Sequence, residues 1–229
     1  DPREDGLYFI HNVQRVIHGF GSRSMCEIYH PGMCMIEACG EELISADTFI
    51  YNGRQVRGMN EDDMKRVADM YVEAAKLARR AGFDGLTLHY GHGWLMHNFL
   101  CPLTNHRKDQ YGGSVENRVR FPKRVLQMIR EAVPDMILEL RMCGSDKTEG
   151  GIEIPDAVEQ ALLFQDVVDM IHVTSGGRTT ALSRSRQSPS YFSPEAVNAP
   201  ATEAFKKGGV KVPVGIIGAV HDPVIAERL

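Results

Sequence analysis

The chain has 229 residues, 43% of them hydrophobic, and a formal net charge of −4, which suits one α/β domain with a sizeable core, two at most. The slight acidity excludes the basic surplus of a nucleic-acid binder. No apolar run reaches the roughly 18 residues of a membrane span, and the N-terminal Asp-Pro-Arg-Glu-Asp has neither the basic nor the apolar region of a signal peptide, so a cytoplasmic protein with no membrane and no nucleic-acid partner is expected.

In chain order, a first helix is predicted over residues 7–18, where Ile10, Val13, Val16 and Ile17 keep near-helical spacing, and a short strand over 24–29. The clearest helix covers 61–81. Met64, Val67, Ala68, Tyr71, Ala74, Ala75 and Ala78 form one apolar stripe; Asn60 is a natural N-cap, acids fill the first turn, and Arg79 and Arg80 precede Gly82 at the far end. A strand at 85–89 follows. The next helix starts after Ser114, with Pro122 inside it marking a kink or a late start. Residues 136–142 read as a buried strand, Pro155 and Asp156 open a helix through 164, and 169–174 is the answering strand. Residues 175–199, rich in Ser, Arg, Gly and Pro, are expected to form a long loop over the catalytic face. A helix near 194–207, a strand at 212–217 and the start of another helix complete the series. Strand and helix alternate as in a parallel sheet built of βαβ units. The cysteines (Cys26, Cys34, Cys39, Cys101, Cys143) are odd in number and scattered, and read as reduced thiols.

The candidate chemistry sits where strands give way to loops. His89 and His92 end the strand at 85–89. A bare His-x-x-His is more often an ordinary pair of loop or core histidines, and a zincin is disfavoured because its ligands lie four apart with Glu between them. Arg141 stands inside an apolar strand, where an unpaired cation is costly, which favours a role. Gly218 and Ala219, taken alone, are a weak signal: small residues permit a close backbone approach, and a plain strand-to-helix turn also accounts for them.

The run from Gly82 through His89-Tyr-Gly-His-Gly-Trp94, continued by Asn105-His-Arg-Lys-Asp-Gln-Tyr-Gly-Gly113 and Glu116-Asn-Arg118, resembles the old yellow enzyme family of FMN-dependent ene-reductases, with its dienoyl-CoA reductase and NADH:flavin oxidoreductase relatives. The resemblance implies an α/β fold of (β/α)8 TIM-barrel type. This chain would supply about five of the eight strands, truncated at both ends, as a single partial FMN-binding domain over residues 1–229. It implies FMN as cofactor, NADH or NADPH as hydride donor, and an activated alkene as the small-molecule substrate.

Residue by residue, the resemblance makes His89 and His92 the pair that hydrogen-bonds the substrate carbonyl. Trp94 occupies the position of the family's proton-donating tyrosine; an indole N–H is no acid, so Tyr90 and His97 are the nearby candidates for that task, and Trp94 could equally wall the pocket. Glu27 takes the place of a flavin-binding glutamine and Met33 that of an arginine. Arg141 resembles the strand arginine under flavin N1 and O2, and Gly218 and Ala219 the phosphate turn. Arg107, Asp109, Glu116 and Arg118 are expected to hold one another and the loop. The alternatives are a catalytically silent barrel fragment or subunit of an assembly, with exposed sheet edges that invite homo-oligomers, and another phosphate-binding barrel.

Overall fold

The computed structural model describes residues 2–35 and 42–229; the expectation for Cys39 falls outside them. In chain order the elements are α1 (Pro2–Gly19), β1 (Met25–Ile28), a 3-10 turn (Gly32–Cys34), β2 (Ile44–Ser45), β3 (Phe49–Tyr51), β4 (Arg54–Gly58), α2 (Glu61–Arg80), β5 (Gly85–Tyr90), α3 (Leu95–Leu100), α4 (Val115–Ala132), β6 (Ile137–Ser145), α5 (Ile154–Phe164), β7 (Met170–Ser175), α6 (Ala181–Ser185), α7 (Ala199–Lys207), β8 (Val214–Ile216) and α8 (Pro223–Arg228). Five strands pair in the order β1-β5-β6-β7-β8, all parallel.

Alternation along the strands divides the sheet into two unlike faces. Leu86, Leu88, Tyr90, Leu138, Leu140, Met142, Ile171 and Val173 are fully buried and pack with the apolar stripes of α2, α4, α5 and α7 in one core. Each such side chain stabilises the fold by about 1.5–3 kcal/mol relative to exposure. The intervening residues, Thr87, His89, Glu139, Arg141, His172 and Thr174, line the opposite, inner face. Register sets His89 beside Arg141 and Arg141 beside His172. Thr87 donates to Glu139, and His172 lies 3.4 Å from the same carboxylate, so the charged layer is partnered.

α2 begins as predicted. The Asn60 side chain accepts from the Asp63 N–H at 2.9 Å while Asp63 accepts from the Asn60 N–H at 3.0 Å, a reciprocal cap. Hydrogen bonds from Arg57, from the Asn60 backbone and from Arg66 outweigh the cost of burial and hold the Asp63 carboxyl well below its ordinary range. α4 does not start late: it begins at Val115, directly after Ser114, and Pro122 lies inside it. The proline lacks the N–H that Arg118 C=O would accept, and its own carbonyl accepts from Tyr90 Oη at 3.2 Å.

Other expectations are corrected. The helix predicted near 194–207 begins at Ala199. The loop over 175–199 contains α6, capped by the Thr180 hydroxyl, which accepts from Ser183 N–H. Arg107 does pair with Asp109, but Arg118 turns from Glu116 to Asp156 and donates also to the carbonyls of Leu100 (2.8 Å) and Gly113 (2.6 Å). A small sheet in the order β2-β4-β3 was not foreseen; its hairpin turns on Asn52-Gly53, with φ of 49° and 76°, as a tight two-residue turn requires. Among the described residues no helix is long and apolar enough to cross a membrane.

Candidate active site

β5 delivers His89 to the inner face, and the turn after it brings His92 back beside it. His92 has φ 57° and Gly93 φ 75°, so the chain reverses within three residues. Only 4% of His89 and 8% of His92 is exposed. His89 Nε2 and His92 Nδ1 are 3.0 Å apart, and His92 Nε2 is 2.7 Å from Thr174 Oγ1 on β7. This is a directional relay. If Thr174 donates to His92, His92 donates to His89, and His89 Nδ1 is left as a free N–H; the reverse polarity leaves Nδ1 a free lone pair. His89 Nδ1 is buried and has no partner. Burial, then the fields of His92 and Arg141, push His89 down to about 2; burial, then Arg141 and His97, push His92 down to about 3. Both are neutral imidazoles near pH 7.

Trp94 stands edge-on to His89, 6.4 Å between ring centroids and 72° from parallel, and is itself stacked. The Tyr29 ring is on one side, 4.5 Å between centroids and 26° from parallel, and the Arg178 guanidinium stands 4.3 Å from the indole centroid. Arg178 Nε also donates to His92 O at 3.0 Å, joined there by Gln187 Nε2 at 3.2 Å. The 175–199 segment therefore clamps the histidine turn from above.

On β6, Arg141 Nη1 donates to Glu27 Oε1 at 2.7 Å, while Arg141 Nε is buried without a partner. Arg141, Thr174, Asn198, Gly218 and Ala219 line one cavity of about 510 Å³. At its far side Gly218 has φ 115° and Ala219 φ 53°; a Cβ on Gly218 would come within 2.8 Å of Asn198 Nδ2, which donates to Ile217 O at 2.6 Å. The glycine is thus required both by conformation and by space. Met33, at the family's arginine position, is buried with Leu43 and Val56 away from this cavity.

The structure brings His89, His92 and Trp94 together, and sets Glu27, Arg141, Gly218 and Ala219 around the adjoining mouth of the sheet. Tyr90 and His97 do not join them. Tyr90 points into the helix layer. His97 accepts from Gly93 N–H through Nδ1 at 3.0 Å, and its Nε2 lies 3.0 Å from Asp146 Oδ1, off the axis of a good hydrogen bond. His97, Cys143 and Asp146 have metal-ligand composition within 4.8 Å, yet their chemistry argues against an ion. With Nδ1 an acceptor, the ring proton resides on Nε2, and Asp146 Oδ2 already accepts from Cys101 Sγ (3.1 Å) and Ile152 N–H (2.8 Å). Burial alone would raise Asp146; the neighbouring His97 and these hydrogen bonds outweigh it and hold the carboxyl low.

Tyr29, Thr174, Arg178, Gln187 and Asn198 were not singled out from the sequence. Only Tyr29 carried a usable signal: it lies two residues beyond Glu27, hence on the same face of an extended strand.

Residues 17–229 match the model of the NADH:flavin oxidoreductase / NADH oxidase family. The chain is 35% identical over 180 residues to an NADPH dehydrogenase of Clostridium acetobutylicum, covering 77% of this chain and 52% of that protein. It is 34% identical to an NADPH dehydrogenase of Bacillus pumilus, covering 95% and 62%. In structure it is similar to a 2-naphthoyl-CoA reductase complex (TM-score 0.88, 23% identity, 98% of this chain and 36% of that one) and to the old yellow enzyme homologue of Zymomonas mobilis (TM-score 0.77, 21% identity, 97% and 63%). The fold is that of the TIM-barrel flavoenzymes, and the chain spans between about a third and under two thirds of the length of these proteins. The family is one of enzymes, for which FMN is the cofactor and NADH or NADPH the electron donor. Matched along nearly its whole length, this chain belongs to the NADH:flavin oxidoreductase / NADH oxidase family, as the His89 to Arg118 motifs imply.

Proposed function

We propose that residues 1–229 act as one FMN-binding domain and that the protein is an oxidoreductase of the ene-reductase type, passing hydride from NADH or NADPH to an activated alkene. The observation that carries this reading is a pair of buried nitrogens without partners, His89 Nδ1 and Arg141 Nε, side by side in register on β5 and β6 at the mouth of the inner face. Buried polar atoms left unpaired cost about 1–3 kcal/mol each; a ligand in the cavity would meet Arg141, and a polar group reaching on to the neighbouring strand would meet His89.

FMN, when bound, supplies a carrier that takes up hydride and hands it on. Arg141 would hold the pyrimidine edge and counter its negative charge after reduction, and the turned backbone at Gly218 and Ala219 would hold the phosphate. Glu27 fits less simply: an ionised carboxylate only accepts hydrogen bonds, and here it neutralises the arginine. His89, as the free end of the Thr174–His92–His89 relay, would donate Nδ1–H to a substrate oxygen as charge develops there. His92 can aim a second donor at that oxygen only by giving up its bond to His89. The cytoplasm, where thiols stay reduced, suits the free Cys26, Cys34, Cys101 and Cys143.

A second reading, a catalytically silent subunit, is favoured by Glu27 closing on Arg141. One experiment separates them. The purified chain is mixed with FMN, desalted, and its absorption recorded before and after anaerobic NADH or NADPH. Retained flavin that bleaches supports the oxidoreductase; loss of all flavin on desalting supports the silent subunit.

A further inference from the structure

Reduction of an activated alkene needs a proton as well as a hydride, and the inner face offers few donors. Trp94 has only an indole N–H. His89 and His92 are neutral and donate hydrogen bonds without giving up a proton. Tyr90 and His97 are turned into the core, and the Cys143 thiol is buried against Asp146. Beside His89 and Trp94 stands one further phenol, that of Tyr29.

We infer, on the ene-reductase reading above, that Tyr29 is the proton donor of this site. Tyr29 follows directly on β1, and its ring contacts set it beside the histidine of the inner face. Its ring is fixed rather than free: stacked on Trp94 at 4.5 Å and edge-on to His89, 6.4 Å between centroids, with Arg178 pinning the far side of the indole. It is 48% exposed, within reach of water, and its hydroxyl makes no hydrogen bond with another described residue. The tryptophan that replaces the expected acid thereby serves as the platform that holds a different phenol over the same histidine.

The step balances. Reduced flavin would give up the hydride and be oxidised by two electrons; as the hydride's bond to the β-carbon forms, the alkene π pair shifts to the α-carbon and the carbonyl oxygen, which His89 stabilises. The Tyr29 O–H bond breaks as the α-carbon–hydrogen bond forms, and the phenolate recovers its proton from water.

The test uses FMN-loaded wild type, Tyr29→Phe, and Tyr29→Phe combined with Trp94→Tyr, with 2-cyclohexen-1-one as oxidant. Tyr29→Phe should slow reoxidation of the reduced flavin by the enone about a hundredfold or more, the usual scale of general acid catalysis. Flavin reduction by NADH or NADPH, and reoxidation by ferricyanide, which needs no carbon protonation, should change less than about twofold. Adding Trp94→Tyr should recover about tenfold of the enone rate by supplying a phenol next door. Trp94 is the single tryptophan, so its emission in flavin-free wild type and Tyr29→Phe reports directly on the stack and should coincide. An enone rate within about threefold of wild type overturns the proposal. So does a slowed rate with shifted Trp94 emission and no recovery by Trp94→Tyr, which assigns Tyr29 a packing role. Wild type that holds reducible flavin yet leaves the enone untouched overturns the ene-reductase reading itself, and the Tyr29 assignment with it.

Discussion

A carboxylate 2.7 Å from Arg141 competes with any anionic or electron-rich ligand for that guanidinium. Glu27→Gln removes the charge, keeps the side chain's length and restores a donor. The pair is partly exposed, 19% for the arginine and 41% for the glutamate side chain, so solvent screening moderates the effect. FMN should bind about three- to tenfold more tightly to Glu27→Gln, up to about 1.4 kcal/mol, and the flavin potential should rise. Quenching of flavin fluorescence measures the affinity, and equal or weaker binding would remove Glu27 from the flavin edge. The histidines make a second prediction at the same scale. His89 and His92 bind a proton in the folded state only near pH 2 and 3, whereas in the unfolded chain they do so near 6.5. Between those limits the unfolded state holds more protons, so stability falls as pH falls. At pH 5 the loss relative to neutral pH is about 2 kcal/mol per histidine. Urea unfolding at pH 7.5 and 5.0 should show it, and His89→Asn should reduce the difference; an unchanged difference would mean that His89 does not supply it.

At the scale of elements, the joint between α3 and α4 depends on Arg118. Its side chain is 7% exposed, and it satisfies Asp156 and two backbone carbonyls at once. Arg118→Met keeps the aliphatic stem but leaves a partly buried carboxylate without its cation, held only by Gln160 Nε2 at 2.7 Å, and two carbonyls without the arginine donors, at a cost of about 3 kcal/mol. A urea midpoint within error of wild type would show that Asp156 finds water instead. The same joint shows what sequence conveys. The motif pointed to a structural role for Arg118, yet Glu116, two residues before it in one helix, cannot face it; the partner comes from α5, a distance in sequence that no local pattern encodes. α2 and β5 were legible because their signals are local: a cap, a 3.6-residue stripe, an apolar run. The β2–β4 sheet, of strands two to five residues long, offered only the Asn52-Gly53 turn. In the site, His89, His92 and Trp94 were legible because they share one turn. The Tyr29–Trp94–Arg178 stack joins three separate segments, so spacing from Glu27 hints at Tyr29 alone and nothing in the sequence brings the three together.

Across the whole molecule, the outer edges of β1 and β8 pair with no other described strand, and α1 turns its apolar residues outward. Ile10, Val13 and Val16, at near-helical spacing, are 37%, 40% and 57% exposed, with Tyr8 at 72%, Phe9 at 69% and, just past the helix, Phe20 at 86%; among the described side chains of α1 the buried one is Gln14, bonded to Ser24. Unpaired strand edges next to an apolar helix face are a template for association. The chain on its own should therefore self-associate at micromolar concentration and elute from size exclusion with light-scattering detection well above its 25.5 kDa mass. Phe9→Ser with Phe20→Ser should lower that apparent mass if α1 is the contact, and should leave it unchanged if the strand edges alone are responsible. A wild-type peak at 25.5 kDa would mean that neither surface is available in solution. Added FMN supplies an independent lever, because the cavity lies between Arg141 on β6 and the Gly218 turn after β8. If ligand filling the cavity orders the β8 side of the sheet, the apparent mass should fall as FMN is raised, and the fall should saturate together with flavin fluorescence quenching.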